Sequence, residues 1–247
     1  MTVKYGIISD VHGNLPALET ALKFLHAEGV HGIICCGDIV GYGPWPNECV
    51  ELIQQHCGCC VSGNHDAAAI GTINIDRFHG NAGIALRWAE KELTANNLEF
   101  LKQRPLKTPY QNFFVTHGSP RDPIWEYINE RLVAYNNFHH FDERICWFGH
   151  SHYPTMFIHN GGDIKGGFVR GEETVHLDPN DRYLINPGSV GQPRDGDWRL
   201  ALIIYKKTDT DETITWHRLE YDVEKVSTKM AAVNLPAPLY NRLKTGN

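Results

Sequence analysis

The chain has 247 residues, a length open to one large domain or two small ones and sufficient to bury an apolar core without disulfide or metal staples. With 42% hydrophobic and 21% charged residues it is neither disordered nor an extended coiled coil, and a net charge of −6 argues against a broad electrostatic grip on nucleic acid, leaving only a local basic patch open. Fourteen histidines stand out, because imidazole is the common metal ligand and the proton carrier near neutral pH. Seven cysteines, an odd number without framework spacing, point to reduced thiols. The start MTVKYGIISD lacks a secretory leader pattern. No apolar run approaches the ~18 residues of a membrane span. The expectation is a soluble, cytoplasmic protein.

The first half alternates short apolar runs with amphipathic stretches. Tyr5–Ser9 reads as a buried strand. Asn14 can cap a helix carrying Leu15, Leu18, Leu22 and Leu25 on one stripe, stopped by Gly29. Gly32–Cys36 predicts a second strand, Pro46–His56 a second helix, Cys59–Ser62 a third strand, and 80–103 a helix. This alternation implies βαβ units and a largely parallel sheet. Further on, Phe113–Thr116 and Ile145–Phe148 are short apolar runs, joined by a partly helical connection over 121–142. From 154 to 220 the pattern is strand-like, at Met156–His159, Thr174–Leu177, Tyr183–Ile185, Leu200–Tyr205 and Thr213–Leu219, which predicts a second, more antiparallel sheet. A helix over Val223–Val233 and a packing segment at Leu235–Leu243 follow. Without repeats or a Pro/Gly/Ser linker, residues 1–247 read as one domain.

Five of the apolar strands end at metal-binding residue types. Asp10 and His12 follow the first, Asp38 the second, Asn64, His65 and Asp66 the third, His117 the fourth, and His150 and His152 the fifth. The carboxyl ends of strands are where open α/β sheets bind ligands. Five such ends on one edge would gather these side chains in one cleft. Asp10, His12, Asp38, Asn64, His117, His150 and His152 make seven N/O donors, too many for one zinc ion, which takes three or four. They suit two ions sharing a bridging carboxylate, for which Asp38 is the natural candidate. With no thiolate in the set, the choice falls among Mn, Fe, Co, Ni and Zn. Two divalent ions carry more charge than two carboxylates and a bridging hydroxide remove. The residue of about one positive charge favours an anionic, oxygen-rich ligand such as a phosphate ester, and a metal pair fits in-line phosphoryl chemistry.

The strings Asp10-Val-His12, Gly37-Asp38, Gly63-Asn64-His65-Asp66, His117 and Gly149-His150-Ser-His152 resemble, in order and spacing, the five motifs of the calcineurin-like metallophosphoesterases. Asn186–Arg194 and the closing Leu235–Leu243 segment resemble the small bacterial and archaeal phosphodiesterase branch. The resemblance implies a four-layer α/β/β/α sandwich of two mixed β-sheets with flanking helices and a dinuclear centre at the sheet edge. It implies one metal on Asp10, His12, Asp38 and His152, another on Asp38, Asn64, His117 and His150, with manganese first among the candidate ions. His65 takes the position of the family's catalytic histidine, serving the leaving oxygen, and Asp66 orients either His65 or nearby backbone. The implied activity is hydrolysis of a small phosphodiester or nucleotide through a metal-bridging hydroxide. The alternatives are a dinucleoside polyphosphate hydrolase, a protein phosphatase, or a non-catalytic scaffold of the same fold. After Gly37-Asp38 the chain reads Ile-Val-Gly-Tyr-Gly-Pro, without the second Asp and the Arg of the protein phosphatase branch.

Arg194 is a candidate phosphate clamp, its alternative being a loop arginine paired with Asp195. Tyr42 can line the substrate pocket or pack on Pro44 and Trp45. Cys57-Gly-Cys-Cys60 contains a C-x-x-C but opens a buried strand, so packing is expected. Neighbouring His139 and His140 cannot converge on one ion from a helix and are expected at the surface. Among the histidines outside the motifs, His79 is the one whose loop could reach the cleft.

Overall fold

The computed structural model describes residues 2–247. The first half follows the predicted order: β1 (Val3–Ile8), α1 (Leu15–Ala27), β2 (Gly32–Cys35), α2 (Pro46–His56), β3 (Cys59–Cys60) and a short α3 (Asn64–Ala69). β1, β2 and β3 run parallel, with Ile7 opposite Ile34 and Cys35 opposite Cys60. The Asn14 side chain caps α1 by accepting from the Ala17 amide at 3.3 Å. β3 is shorter than predicted because the Ser62 amide turns away from β2 to the Pro105 carbonyl, at 2.8 Å. The stretch 80–103 is two helices, α4 (Gly80–Glu92) and α5 (Ala95–Lys102). The break falls at Thr94, whose hydroxyl accepts from the Asn97 amide and starts a new helix.

The second half comprises β4 (Lys107–Tyr110), β5 (Phe113–Thr116), α6 (Arg131–Asn137), β6 (Ile145–Trp147), β7 (Thr155–His159), β8 (Ile164–Phe168), β9 (Glu173–His176), β10 (Arg182–Asn186), β11 (Leu200–Lys207), β12 (Glu212–Leu219), α7 (Val223–Ala232) and α8 (Ala237–Asn241). The strands of 154–220 divide between two sheets, β7, β8 and β10 joining one and β9, β11 and β12 the other, which corrects the expectation of a single second sheet there. One six-stranded sheet has the order β3-β2-β1-β11-β12-β9 and the other β4-β5-β6-β10-β7-β8. The apolar run of β11 is buried on both faces, which requires a central position, and it takes one beside β1.

Period-two alternation sorts each central strand between two cores. Ile7, Ile34, Val115, Trp147, Ile203 and Trp216 point into the layer between the sheets. Ile8, Ile33, Cys35, Leu202 and Ile204 point outward against the helical layer that includes α1, α2 and α7. Phe114, Cys146, Phe148 and Leu184 face outward from the second sheet, where Ala134 of α6 joins the same cluster. The result is the expected four-layer α/β/β/α sandwich of mixed sheets. Among the described residues, no helix is long and apolar enough to cross a membrane.

Candidate metal centre

The five strand ends do gather, but from two sheets rather than one edge. β1, β2 and β3 belong to the first sheet and β5 and β6 to the second, so the cluster forms where the two sheets meet. Asp10, His12, Asp38, Asn64, His117, His150 and His152 are all buried. Potential ligand atoms converge in three groups, Asp10/His12/His152, His12/Asp38/His65 and Asp38/His117/His150. Asp38 thus lies between the two ends of the cluster. Its Oδ2 is 3.5 Å from His12 Nε2 and 3.3 Å from His117 Nε2. Asp10 Oδ1 is 3.4 Å from His152 Nε2. Asn64 Oδ1 is 3.1 Å from His117 Nε2.

Backbone carbonyls fix three of the imidazoles. His12 Nδ1 donates to Val40 O at 3.1 Å, His117 Nδ1 to Cys36 O at 2.8 Å, and His152 Nδ1 to Gln192 O at 2.6 Å. A carbonyl can only accept, so each Nδ1 carries hydrogen and each Nε2 is turned to the cluster. His12 Nε2 and His152 Nε2 face each other at 3.1 Å. Burial holds both groups well below the usual histidine range. Two neutral imidazoles therefore aim lone pairs at one point, an arrangement that calls for a cation between them.

Charge is distributed unevenly over the other groups. Burial opposes ionisation of Asp38, but the neighbouring His117, His65 and His12 outweigh it and hold its carboxyl well below the usual range. Burial likewise opposes charge on His117, yet Asp38 pushes it up to about 9. Burial, reinforced by the charge of Asp38, raises Asp10 to about 7. His150 is lowered to about 3 by burial and by His117, and His65 to about 4 by burial. Asp10 Oδ2 and His150 Nε2 are buried without a hydrogen-bond partner, as expected of atoms shaped to meet a metal.

Backbone strain concentrates here. Among the described residues, six of the eight non-glycine positions with positive φ are Asp10, His12, Asp38, Tyr42, His150 and His152, with φ between 49° and 67°. Each costs about 1–3 kcal/mol and persists only where the surroundings impose it. Close approach also explains the glycine before Asn64, since a Cβ on Gly63 would stand 2.1 Å from Asp38 Oδ1.

Asp66 holds backbone rather than His65. Its Oδ1 accepts from the Ile39 and Val40 amides at 2.9 and 3.0 Å, and its Oδ2 accepts from the Gly63 amide at 3.1 Å. The carboxylate thereby ties the loop after β2 to the loop after β3. Burial nevertheless raises its pKa to about 6. His65 sits with its ring 4.8 Å from that of His12 and 4.6 Å from that of Tyr42. Asp195 does not pair with Arg194. It pairs with the buried Arg218 instead. Arg194 donates to Tyr42 Oη at 3.3 Å and to Gln192 Oε1 at 3.1 Å, and its Nε has no partner.

A cleft of about 200 Å³ opens beside this cluster, lined by His65, Tyr42 and Arg194, and His79 also reaches it. Arg77, Phe78, Trp125 and Tyr127 complete the wall. They escaped the sequence reading because they lie in connections without periodicity or motif. The aromatic pair flanking Glu126 was the one available signal. Cys59 and Cys60 are buried in the core, and His139 and His140 are exposed, as expected.

The model of the calcineurin-like phosphoesterase superfamily domain matches residues 3–209. An uncharacterized protein of Methanocaldococcus jannaschii is 38% identical over 245 residues, covering 97% of each chain. The phosphodiesterase YfcE of Escherichia coli K12 is 25% identical over 205 residues, covering 79% of this chain and 83% of that one. The crystal structure of a metallophosphoesterase from Sphaerobacter thermophilus superposes with a TM-score of 0.87 at 38% identity, covering both chains in full. A match over most of the length therefore accompanies the clustered Asp and His side chains, and the chain belongs to the calcineurin-like phosphoesterase superfamily.

Proposed function

We propose that this metal-dependent phosphoesterase uses two divalent ions to hydrolyse a small phosphodiester or nucleotide. The observation that carries the reading is the confrontation of His12 Nε2 and His152 Nε2 across 3.1 Å, beside a carboxylate, Asp38, within 3.5 Å of ligand atoms at both ends of the cluster. One ion would be held by Asp10, His12, Asp38 and His152, the other by Asp38, Asn64, His117 and His150. The donor set is nitrogen and oxygen only, which suits manganese, and also iron, zinc, nickel or cobalt. When bound, such a pair supplies an activated water and neutralises the phosphoryl oxygens.

The chain's own residues do the rest. His12, His117 and His152 keep their Nε2 lone pairs aimed inward because carbonyls hold the opposite ring edge. Asp66 fixes the two loops that carry Asp38 and Asn64. Arg194, which pairs with no carboxylate among the described residues, offers N–H donors to a non-bridging phosphate oxygen, and Tyr42 positions that guanidinium. His65, kept neutral by burial, donates a ring N–H hydrogen bond to the leaving oxygen. Because His65 also lies within reach of Asp38 and His12, its role is separated by His65→Ala. That variant should retain its metal and lose ~10²-fold or more in turnover of an aryl phosphodiester, the scale of one lost transition-state hydrogen-bond donor.

The reaction is tested with a panel of aryl mono- and diesters, cyclic nucleotides and dinucleoside polyphosphates, run against Mn, Ni, Co, Zn and Mg. The reading expects a diester or nucleotide to be turned over fastest with a transition ion. Preference for dinucleoside polyphosphates would favour the polyphosphate hydrolase, and no turnover under any condition would favour a scaffold.

A further inference from the structure

The cleft carries an aromatic and cationic wall that the chemistry above does not use. Phe78 meets His65 edge-on, 4.9 Å between ring centroids, and leans on Trp125 at 5.6 Å. The Arg77 guanidinium lies over the Trp125 indole, 4.0 Å from the ring centroid. Tyr127 lies flat on His150, with centroids 3.9 Å apart and planes 18° from parallel. Tyr127 remains 45% exposed, so this ring still presents open surface.

The wall is built rather than incidental. Glu126, between the two aromatics, accepts from the Ser119 hydroxyl at 2.7 Å and from Asn137 Nδ2 at 2.8 Å, and pairs with Arg121. It pins the backbone that presents Trp125 and Tyr127 to the cleft. On the facing connection, Asp76 pairs with Arg87 at 2.6 Å and not with its neighbour Arg77. Among the described residues, no ion pair engages Arg77, whose charge is held only by the indole.

We propose that Trp125, Tyr127 and Arg77, backed by the buried Phe78, form a leaving-group subsite that receives the nucleobase of a nucleotide phosphoester. The inference rests on the phosphoesterase reading and names its substrate class. π-Faces with an arginine above one of them stack on any base with little regard to its hydrogen-bonding edge. The wall begins at His65, the residue assigned to the leaving oxygen, so the group received there is the one that departs. The cleft, at about 200 Å³, is small beside the ~300 Å³ at the lower end of ligand pockets, which favours one base over two.

The test is calorimetric titration of manganese-repleted protein with AMP, CMP, phenyl phosphate, ribose 5-phosphate and inorganic phosphate. AMP and CMP should bind about tenfold tighter than ribose 5-phosphate, the scale of one base–aromatic stack. Trp125→Ala should erase that ratio while inorganic phosphate binds as before. Arg77→Met, which keeps an apolar stem on the indole, should reduce the ratio and guards against misfolding of the first variant. Equal affinity for AMP and ribose 5-phosphate would overturn the subsite, and so would a preference for phenyl phosphate not shared by AMP. Calorimetry needs no turnover. Absence of hydrolysis across the substrate panel would defeat the enzymatic reading, whereas a lost AMP preference with hydrolysis intact would defeat only the subsite.

Discussion

Gly41→Ala tests whether the position of His65 matters to catalysis without touching any proposed metal ligand. A Cβ at residue 41 would stand 2.3 Å from His65 Nδ1, 3.0 Å from its Cγ and 3.3 Å from its own Cβ. Ordinary contact begins at 3.4 Å, so the imidazole must withdraw by about 1.1 Å. It cannot do so by simple rotation, because the rings of His12, Tyr42 and Phe78 stand 4.8, 4.6 and 4.9 Å from it. A displacement of ~1 Å at a reacting group costs on the order of 10²-fold in rate. Residue 41 also has φ of 92°, which adds about 1–3 kcal/mol of backbone strain. In a chain of this length that lowers Tm by roughly 2–12 °C, at 2–4 °C per kcal/mol. The assay is kcat for an aryl phosphodiester at 20 °C on metal-repleted protein, with metal content measured in parallel. The variant should keep its metal and lose ~10²-fold in kcat. The double variant with His65→Ala should be no slower than His65→Ala alone, since both changes remove one function. An unchanged kcat, or losses that multiply, would refute the placement of His65 at the reacting centre.

Three further outcomes follow from the packing. Asp195→Ala should leave the fully buried Arg218 guanidinium without its carboxylate, a loss of about 3–5 kcal/mol visible as a fall in Tm on the order of 10 °C; a change below ~2 °C would show that the pair contributes little. The thiols should be inert: burial raises Cys36, Cys49, Cys57 and Cys146 well above the usual range and Cys59 to about 12, and a hydrogen bond with Cys35, then burial, raises Cys60. Folded pKa values above the unfolded ones contribute stability that is present below about pH 9 and lost as pH rises further, so a chromogenic disulfide reagent at pH 8 should label the native protein slowly and release seven thiols only after denaturation; rapid labelling with loss of activity would give the Cys57–Cys60 segment a chemical role. Glu126→Ala should free the loop carrying Trp125 and Tyr127, raising KM for a nucleotide diester by roughly tenfold with little change in kcat, on the scale of one lost stack; an unchanged KM would mean that the loop is held by other contacts.

The residues of the candidate centre were legible because each directly follows a continuous apolar run, and such runs are strands buried on both faces. Asp10, Asp38 and His117 could be placed at strand ends from this alone. The distribution of strands between sheets could not, because pairing of β11 with β1 joins residues about two hundred positions apart and no local pattern encodes it. β8 escaped notice because Gly166 and Gly167 interrupt its alternation. Adjacency makes Asp195 the alternative partner of Arg194, but a fully buried guanidinium at residue 218 has the stronger demand for a carboxylate and takes it. Tyr127 and Trp125 reach the cleft through a loop fixed by the side chain of Glu126, an arrangement with no periodic signature.

The whole mechanism turns on a paired metal site bridged by Asp38. It is tested most directly by counting metal in the repleted, exhaustively dialysed protein by plasma mass spectrometry, alongside phosphodiester turnover. Close to two transition ions per chain are expected, with activity rising as the second is added. A stoichiometry at or below one ion per chain in fully active protein would contradict it.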